Sequence, residues 1–426
     1  MVAMVAMAVP QDDHHRGMSV DPRADDVAGQ YERWMYPEPI ADLPAWLADN
    51  WEWFDPSHAH RMLWPAGRND ADMVILVAGC GTNQAAVLAC TNPGALVVGI
   101  DVSQSSLRHH EWLKTTYGLA NLELHHVPIE DVETLGRDFD LIVATGVLHH
   151  LADPQRGANA LARFLRPDGV LAVMLYARYG RIGVEMLESV FCDMGLGQDD
   201  ASVAMVAQAL AAVPSDHPVK SYLGLAPDLA YDAGLVDTFL HGRQRSFTVH
   251  DCLALVDQAG LVFQDWFLKS PYEPGPAPDD AFLTAVAALP DAKRWSVLER
   301  LNPRNGAHFF TAVRSDRPAA QYRVDFTAAD AMDYVPSFRY RCGLEASEIV
   351  RPGWKMELDE DWLMVAKQID GHRNLAMIAE GAVATGAANV GIDDVVRDVV
   401  GLLWNRDVVA IRLPTALGNG PGRSRS

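Results

Sequence analysis

Apolar residues in this chain fall into short blocks separated by polar, helix-compatible stretches. The block Met73 to Ala78 ends in Gly79-Cys80-Gly81-Thr82, and a second, Leu96 to Ile100, ends in Asp101. Further strand-like blocks span 122–127, 139–145 and 169–176, with helical stretches at 83–90, 103–117 and 155–166 between them. Alternation at this spacing predicts right-handed βαβ units and a parallel sheet. Pro167-Asp168-Gly169 predicts a turn feeding the fifth strand. The alternation pauses over 178–250, a helical stretch broken at Pro214, Pro218 and Pro227. It resumes with 261–267 and 308–313. The expected fold is therefore α/β, a seven-stranded doubly wound sheet with a helical insertion after the fifth strand. Residues 271–280 read as a Pro-rich loop and 281–302 as a helix.

The flanks differ in character. Residues 1–27 are polar and rich in Asp and His, a pattern expected to be disordered. Residues 28–65 concentrate aromatics, among them Tyr31, Trp34, Tyr36, Trp51, Trp53 and Trp64, and predict a helical cap packed on the core domain. The core domain is expected over 66–316. A composition break at Arg314-Ser-Asp-Arg-Pro-Ala-Ala leads to a separate unit over 321–414, and a Gly/Ser/Arg-rich tail, 415–426, is expected to be disordered.

Composition narrows the classes. The chain has 426 residues, 35 basic and 56 acidic, for a formal charge of −21. That balance argues against a duplex nucleic acid or an anionic membrane surface as partner. Five scattered cysteines form no CxxC pair or Cys/His cluster, so neither zinc nor a disulfide framework is expected, and a reducing cytoplasm fits. The apolar N-terminus is short and lacks a basic region, so a signal peptide is not expected.

The glycine loop narrows them further. In the dinucleotide fingerprint G-x-G-x-x-G the third glycine allows tight helix–strand packing under a pyrophosphate. Here Gln84 stands in its place, which weakens a nicotinamide-dinucleotide reading. The segments VAGCGTNQ (77–84), GIDVSQSSL (99–107), VPIEDV (127–132), FDLIVATGVLHHLADP (139–154) and LRPDGVLAVMLY (165–176) stand in an order that resembles class I S-adenosylmethionine-dependent methyltransferases. The resemblance implies S-adenosylmethionine as cofactor. Gly79 and Gly81, with Thr82 and Asn83 beside them, would pass close under its methionine moiety. Asp101 would accept from the ribose hydroxyls, and Val102 would pack on adenine. Ile129 and Glu130 would lie along the adenine edge, and Thr145 and Gly146 would close the site near the sulfonium. The chain departs from the family pattern at Val77, where an acid is frequent, at Asn83, where glycine is frequent, and at Pro128.

Methyl transfer is an in-line displacement on an activated sulfonium, so the protein mainly aligns two ligands and excludes water. A base is needed only for an acceptor that must lose a proton. His149 and His150 follow the fourth strand and are candidates to orient or deprotonate the acceptor. Tyr36 would fold over the donor. Tyr176, Arg178, Tyr179 and Arg181 follow the fifth strand, and His241 and Arg243 lie in an aromatic, basic segment; these would line the acceptor pocket.

The C-terminal unit shows helix, Asp-Gly turn, helix, helix and short strand. This resembles a winged helix, and Ile369-Asp-Gly-His-Arg373-Asn-Leu375-Ala-Met-Ile378-Ala379 is similar to PqqD-like peptide-recognition modules. Substrate capture, with strand addition to the wing, or dimerisation is expected of it in preference to DNA binding. The expected function is methyl transfer to an O or N acceptor on a peptide, a protein or a small natural product. The alternatives are a non-catalytic S-adenosylmethionine-binding partner protein and an NAD-dependent oxidoreductase. Against the latter, no Tyr-x-x-x-Lys pair is present.

Overall fold

The computed structural model describes residues 22–68, 72–274, 280–302 and 304–414. Seven strands form one sheet: β1 Val74–Ala78, β2 Leu96–Asp101, β3 Leu122–His126, β4 Phe139–Thr145, β5 Leu165–Tyr176, β6 Leu261–Trp266 and β7 Ala307–Arg314. Their order is β3-β2-β1-β4-β5-β7-β6. The first five run parallel, while β7 inserts antiparallel between β5 and β6. Beside β1, the chain crosses to β2 on one side and β4 on the other. The carboxyl ends of these strands face a topological switch point, where open α/β sheets bind ligands.

Side-chain alternation along β1 divides the core. Ile75 and Val77 pack on one face, against Leu43, Phe54, Leu63 and Trp64 of the N-terminal segment. Leu76 and Ala78 pack on the other, with Ile100, Ile142 and Leu161. All four β1 residues are fully buried. Each large aliphatic side chain so buried contributes about 1.5–3 kcal/mol.

Three helices precede the sheet: Asp26–Arg33, Leu43–Asp49 and Pro56–Leu63. Disorder was expected through residue 27, yet the described chain is ordered from Pro22. The Asp25 side chain accepts from the Val27 and Ala28 amides at 3.0 Å each, capping a first helix that starts two residues before the expected cap. Residues 1–21 and the tail from 415 lie outside the described residues. The helix expected over 155–166 is Pro154–Arg163, because Leu165 already pairs with Phe139 of β4. The helix expected over 281–302 is two, Ala281–Ala287 and Asp291–Leu301, divided at Pro290. Residues 275–279 of the Pro-rich loop are outside the described set.

The insertion holds helices Ile182–Asp193, Asp200–Ala212, Val219–Leu223 and Asp232–Phe239, which share a small core of their own. The C-terminal residues build another core, around Ile349, Val365, Ile378, Val396 and Leu403. There, three antiparallel strands, Gly343–Glu345, Glu348–Arg351 and Trp354–Glu357, come before three helices, Glu360–Ala366, Leu375–Ala384 and Ile392–Asn405. A single strand, Val409–Arg412, follows the helices and pairs back to Val335–Phe338. That order differs from a helix-turn-helix followed by its wing. Asp407 fastens this part to the sheet: its carboxylate accepts from the Lys269 and Ser270 amides at 2.7 and 3.1 Å and from Arg339 at 3.2 Å. No helix among the described residues is long and apolar enough to cross a membrane.

Candidate active site

A cavity of about 1650 Å³ opens above the carboxyl ends of β1, β2, β4 and β5. Pockets for one drug-sized ligand span roughly 300–1,000 Å³, so this one has room for a donor and an acceptor together. Gly79, Gly81, Asp101, Val102, Ile129, Glu130, Thr145 and Gly146 all line it.

The glycine loop needs its glycines. Gly79 and Gly81 have φ of +68° and +54°. A Cβ on Gly79 would fall 2.4 Å from Val147 Cγ2, and one on Gly81 would fall 2.9 Å from the Tyr36 carbonyl oxygen. The Asp101 carboxylate accepts from the Gly81 amide and the Ser103 amide at 2.8 Å each. These bonds use one lone pair on each oxygen and leave others for hydroxyl donors. Burial raises Asp101 to about 6, partly offset by those amides. Glu130 carries a buried Oε2 with no hydrogen-bond partner, at the cavity wall beside Ile129. A glycine cradle, a ribose-type carboxylate and an acceptor atom at an apolar edge together fit S-adenosylmethionine.

Thr82 and Asn83 were expected at the cofactor, but they face the cap. Thr82 Oγ1 donates to the Pro37 carbonyl at 2.6 Å. Asn83 donates to the Glu38 carbonyl at 2.8 Å and accepts from the Ile40 amide at 3.1 Å. Residues 37–40 thereby cover the start of helix Gln84–Thr91, the position where a dinucleotide pyrophosphate would need to sit.

The other half of the cavity is walled by Tyr31, Tyr36, Tyr176, Tyr222, Asp228 and His150. Tyr31 and Tyr176 donate to the two oxygens of buried Asp237 at 2.7 and 3.0 Å, and Tyr36 donates to Asp228 at 2.7 Å. Burial, reinforced by Asp237, holds all three phenols well above their ordinary pKa, so they remain protonated donors. His150 donates from Nδ1 to the Arg243 carbonyl at 3.1 Å, which leaves Nε2 as its basic nitrogen. Burial lowers its pKa, so the ring is neutral at pH 7.

Several expected acceptor residues lie elsewhere. His149 is fully buried, stacked on Tyr176 at 3.8 Å, and does not reach the cavity. Neither of its ring nitrogens has a partner, and burial pushes its pKa well down. Arg178 is exposed and, like Tyr179, stands off the cavity wall. Arg181 is buried behind the wall, its guanidinium 3.7 Å from the Tyr176 ring centroid and donating to the Tyr222 hydroxyl. His241 sits behind His150, ring on ring at 3.9 Å, while Arg243 does line the cavity. Ligand atoms of His150, Asp237 and His241 come within 4.8 Å of one another, a grouping that chain separation hides in the sequence. Tyr31, Tyr176 and the Arg243 amide already occupy the Asp237 oxygens and His241 Nδ1. Glu52, Gln84, Asp228 and Asp237 were not anticipated as site residues. Only Asp237 carried a signal, at the head of the aromatic–basic segment before β6.

Residues 76–171 match a family model described as a methyltransferase domain. Protein syc1184_c of Synechococcus sp. is 27% identical over 77% of this chain and 80% of its own length. Trans-aconitate 2-methyltransferase of Deinococcus radiodurans is 34% identical over 26% of this chain, a stretch covering 40% of that protein. The solved structure of PKMT2 from Rickettsia typhi shares the fold over 84% of this chain and 75% of its own, with a TM-score of 0.63 at 14% identity. Residues 76–171 thus form a methyltransferase domain, and their sheet order and site fit the class I type with S-adenosylmethionine as cofactor.

Proposed function

We propose that the protein transfers a methyl group to an O or N acceptor presented on a peptide or protein segment. A small natural product is the second class of acceptor. The observation that carries this reading is the single cavity joining the Gly79–Asp101 end to the tyrosine wall, since in-line transfer needs both ligands in one water-poor space. Bound S-adenosylmethionine supplies an activated methyl group. Gly79, Gly81, Asp101 and Glu130 hold the donor, and Val102, Ile129 and Val147 give it an apolar bed. Tyr31, Tyr36 and Tyr176, fixed by Asp237 and Asp228, orient the acceptor through hydroxyls whose oxygens still have lone pairs to accept a bond. His150 Nε2 takes the acceptor's proton where one must leave. Among the described residues none beyond Phe309 lines the cavity, which sets residues 321–414 apart from the transfer itself; capture of the acceptor is the role proposed for them. This favours an acceptor large enough to touch both. Incubation with methyl-labelled S-adenosylmethionine and a fractionated cell extract tests the proposal. Label in the protein fraction supports it, label only in the small-molecule fraction selects the second class, and no label in either refutes transfer.

A further inference from the structure

The turn beneath the donor brings no negative charge of its own. From Met73 to Gln84 there is no acidic residue, and Val77 occupies the strand position where an acid would serve. The donor's amino-acid end nevertheless carries an α-ammonium, a strongly hydrated cation that loses water on entering the cavity. A cation transferred in this way needs a paired, hydrogen-bonding anion.

One carboxylate meets that requirement, and it comes from outside the sheet. Glu52 lies between helices Leu43–Asp49 and Pro56–Leu63 and lines the cavity with Gly79, Gln84 and Thr145. Gln84 Nε2 donates to Glu52 Oε2 at 2.8 Å and lies 3.2 Å from Thr145 Oγ1, which fixes the carboxylate over the end where β1 and β4 finish. A carboxylate offers about four acceptor positions, and this bond uses one. Burial, opposed by the Gln84 bond and helped by the like charge of Asp55, raises Glu52 to about 7, and among the described residues no cation offsets it. Such an acid is favoured in its neutral form until a cation enters the cavity to pair with it.

We propose that Glu52 binds the α-ammonium of S-adenosylmethionine, and of the S-adenosylhomocysteine left after transfer, so that the N-terminal segment supplies the charge that β1 lacks. The assignment rests on the methyltransferase reading of the cavity. It also gives the cap a role in affinity. The segment bearing Glu52 follows residues 37–40, which Thr82 and Asn83 bind to the glycine loop, so donor binding and cap docking reinforce each other.

The test is calorimetric titration of the full chain and its Glu52→Gln variant with two probes. S-adenosylhomocysteine has the amino-acid end; 5′-methylthioadenosine keeps the adenosine and thioether without it. Loss of a charge-assisted bond should weaken S-adenosylhomocysteine about 10- to 100-fold in the variant. 5′-Methylthioadenosine should stay within about twofold, which also shows that the variant is folded. Glu52→Asp, which keeps the charge, should recover part of the loss. Unchanged S-adenosylhomocysteine affinity, or equal weakening of both probes, would overturn the proposal. A raised acceptor KM with unaltered S-adenosylhomocysteine binding would overturn it too, by moving Glu52 to the acceptor side. If the unaltered protein binds neither probe, the methyltransferase reading fails first, and separately.

Discussion

Asp101→Ala separates the energetics of the site from those of the fold. In the protein the carboxylate holds the Gly81 and Ser103 amides and keeps lone pairs for two ribose hydroxyls. Losing charged hydrogen bonds to a ligand costs about 1.5–3 kcal/mol, so S-adenosylhomocysteine affinity should drop roughly 10- to 150-fold. The fold loses less than two broken bonds suggest. Burial lifts Asp101 from 3.8 to about 6, and at about 1.4 kcal/mol per pKa unit the buried charge costs about 3 kcal/mol, which the alanine removes. Two unpaired amides cost about 1–3 kcal/mol each, so these terms largely cancel and global stability should change by no more than about 3 kcal/mol. Calorimetric titration with S-adenosylhomocysteine, paired with urea unfolding of the same samples, reads both quantities. A variant that binds within twofold of the parent would refute the assignment of Asp101 to the ribose.

Other outcomes follow from the same geometry. Gly81→Ala forces a side chain into φ +54° and against the Tyr36 carbonyl, so donor affinity should fall about tenfold or more, read by the same titration. With a working acceptor, His150→Ala should lower kcat at least about tenfold while S-adenosylhomocysteine affinity holds, because general-base assistance contributes 10²–10⁴-fold or less where the proton is acidic. His149→Leu should leave kcat within about threefold, since that ring makes no hydrogen bond and only packs on Tyr176 and His150; equal losses in the two variants would contradict the placement. The pH dependence has a definite sign. Burial raises Asp101 to about 6 and Glu52 to about 7, and under the proposed assignments the donor binds their ionised forms, so binding should release protons. S-adenosylhomocysteine affinity should therefore weaken as pH drops from 8 to 5, and titrations in buffers of different ionisation enthalpy should show net proton release; proton uptake would exclude this account.

The sheet was legible because its central strands, β1, β2 and β4, are buried on both faces and stand out as apolar blocks between helical spacers. The inversion of β7 was not, since strand direction depends on which neighbour a late strand finds. Gly79, Asp101 and Glu130 were legible because the fold ties their positions to strand ends. His149 and His150 are neighbours in one turn, and only packing decides that the first lies under Tyr176 and the second faces the cavity. Thr82 and Asn83 belong to the glycine loop in sequence, yet their polar groups are claimed by the backbone of residues 37–40, a contact across more than 40 positions. Arg181 was expected to line the acceptor pocket, but Tyr176 and Tyr222 give its guanidinium a buried partner surface behind the wall. Glu52 sits in an aromatic stretch that reads as packing, and its chemistry exists only where the cap meets Gln84.

The most direct measurement is calorimetric titration of the purified protein with S-adenosylhomocysteine, with NAD in parallel. Micromolar binding of S-adenosylhomocysteine alone is the expected result. Binding of NAD, or of neither ligand, would contradict the donor site on which the methyltransferase account stands.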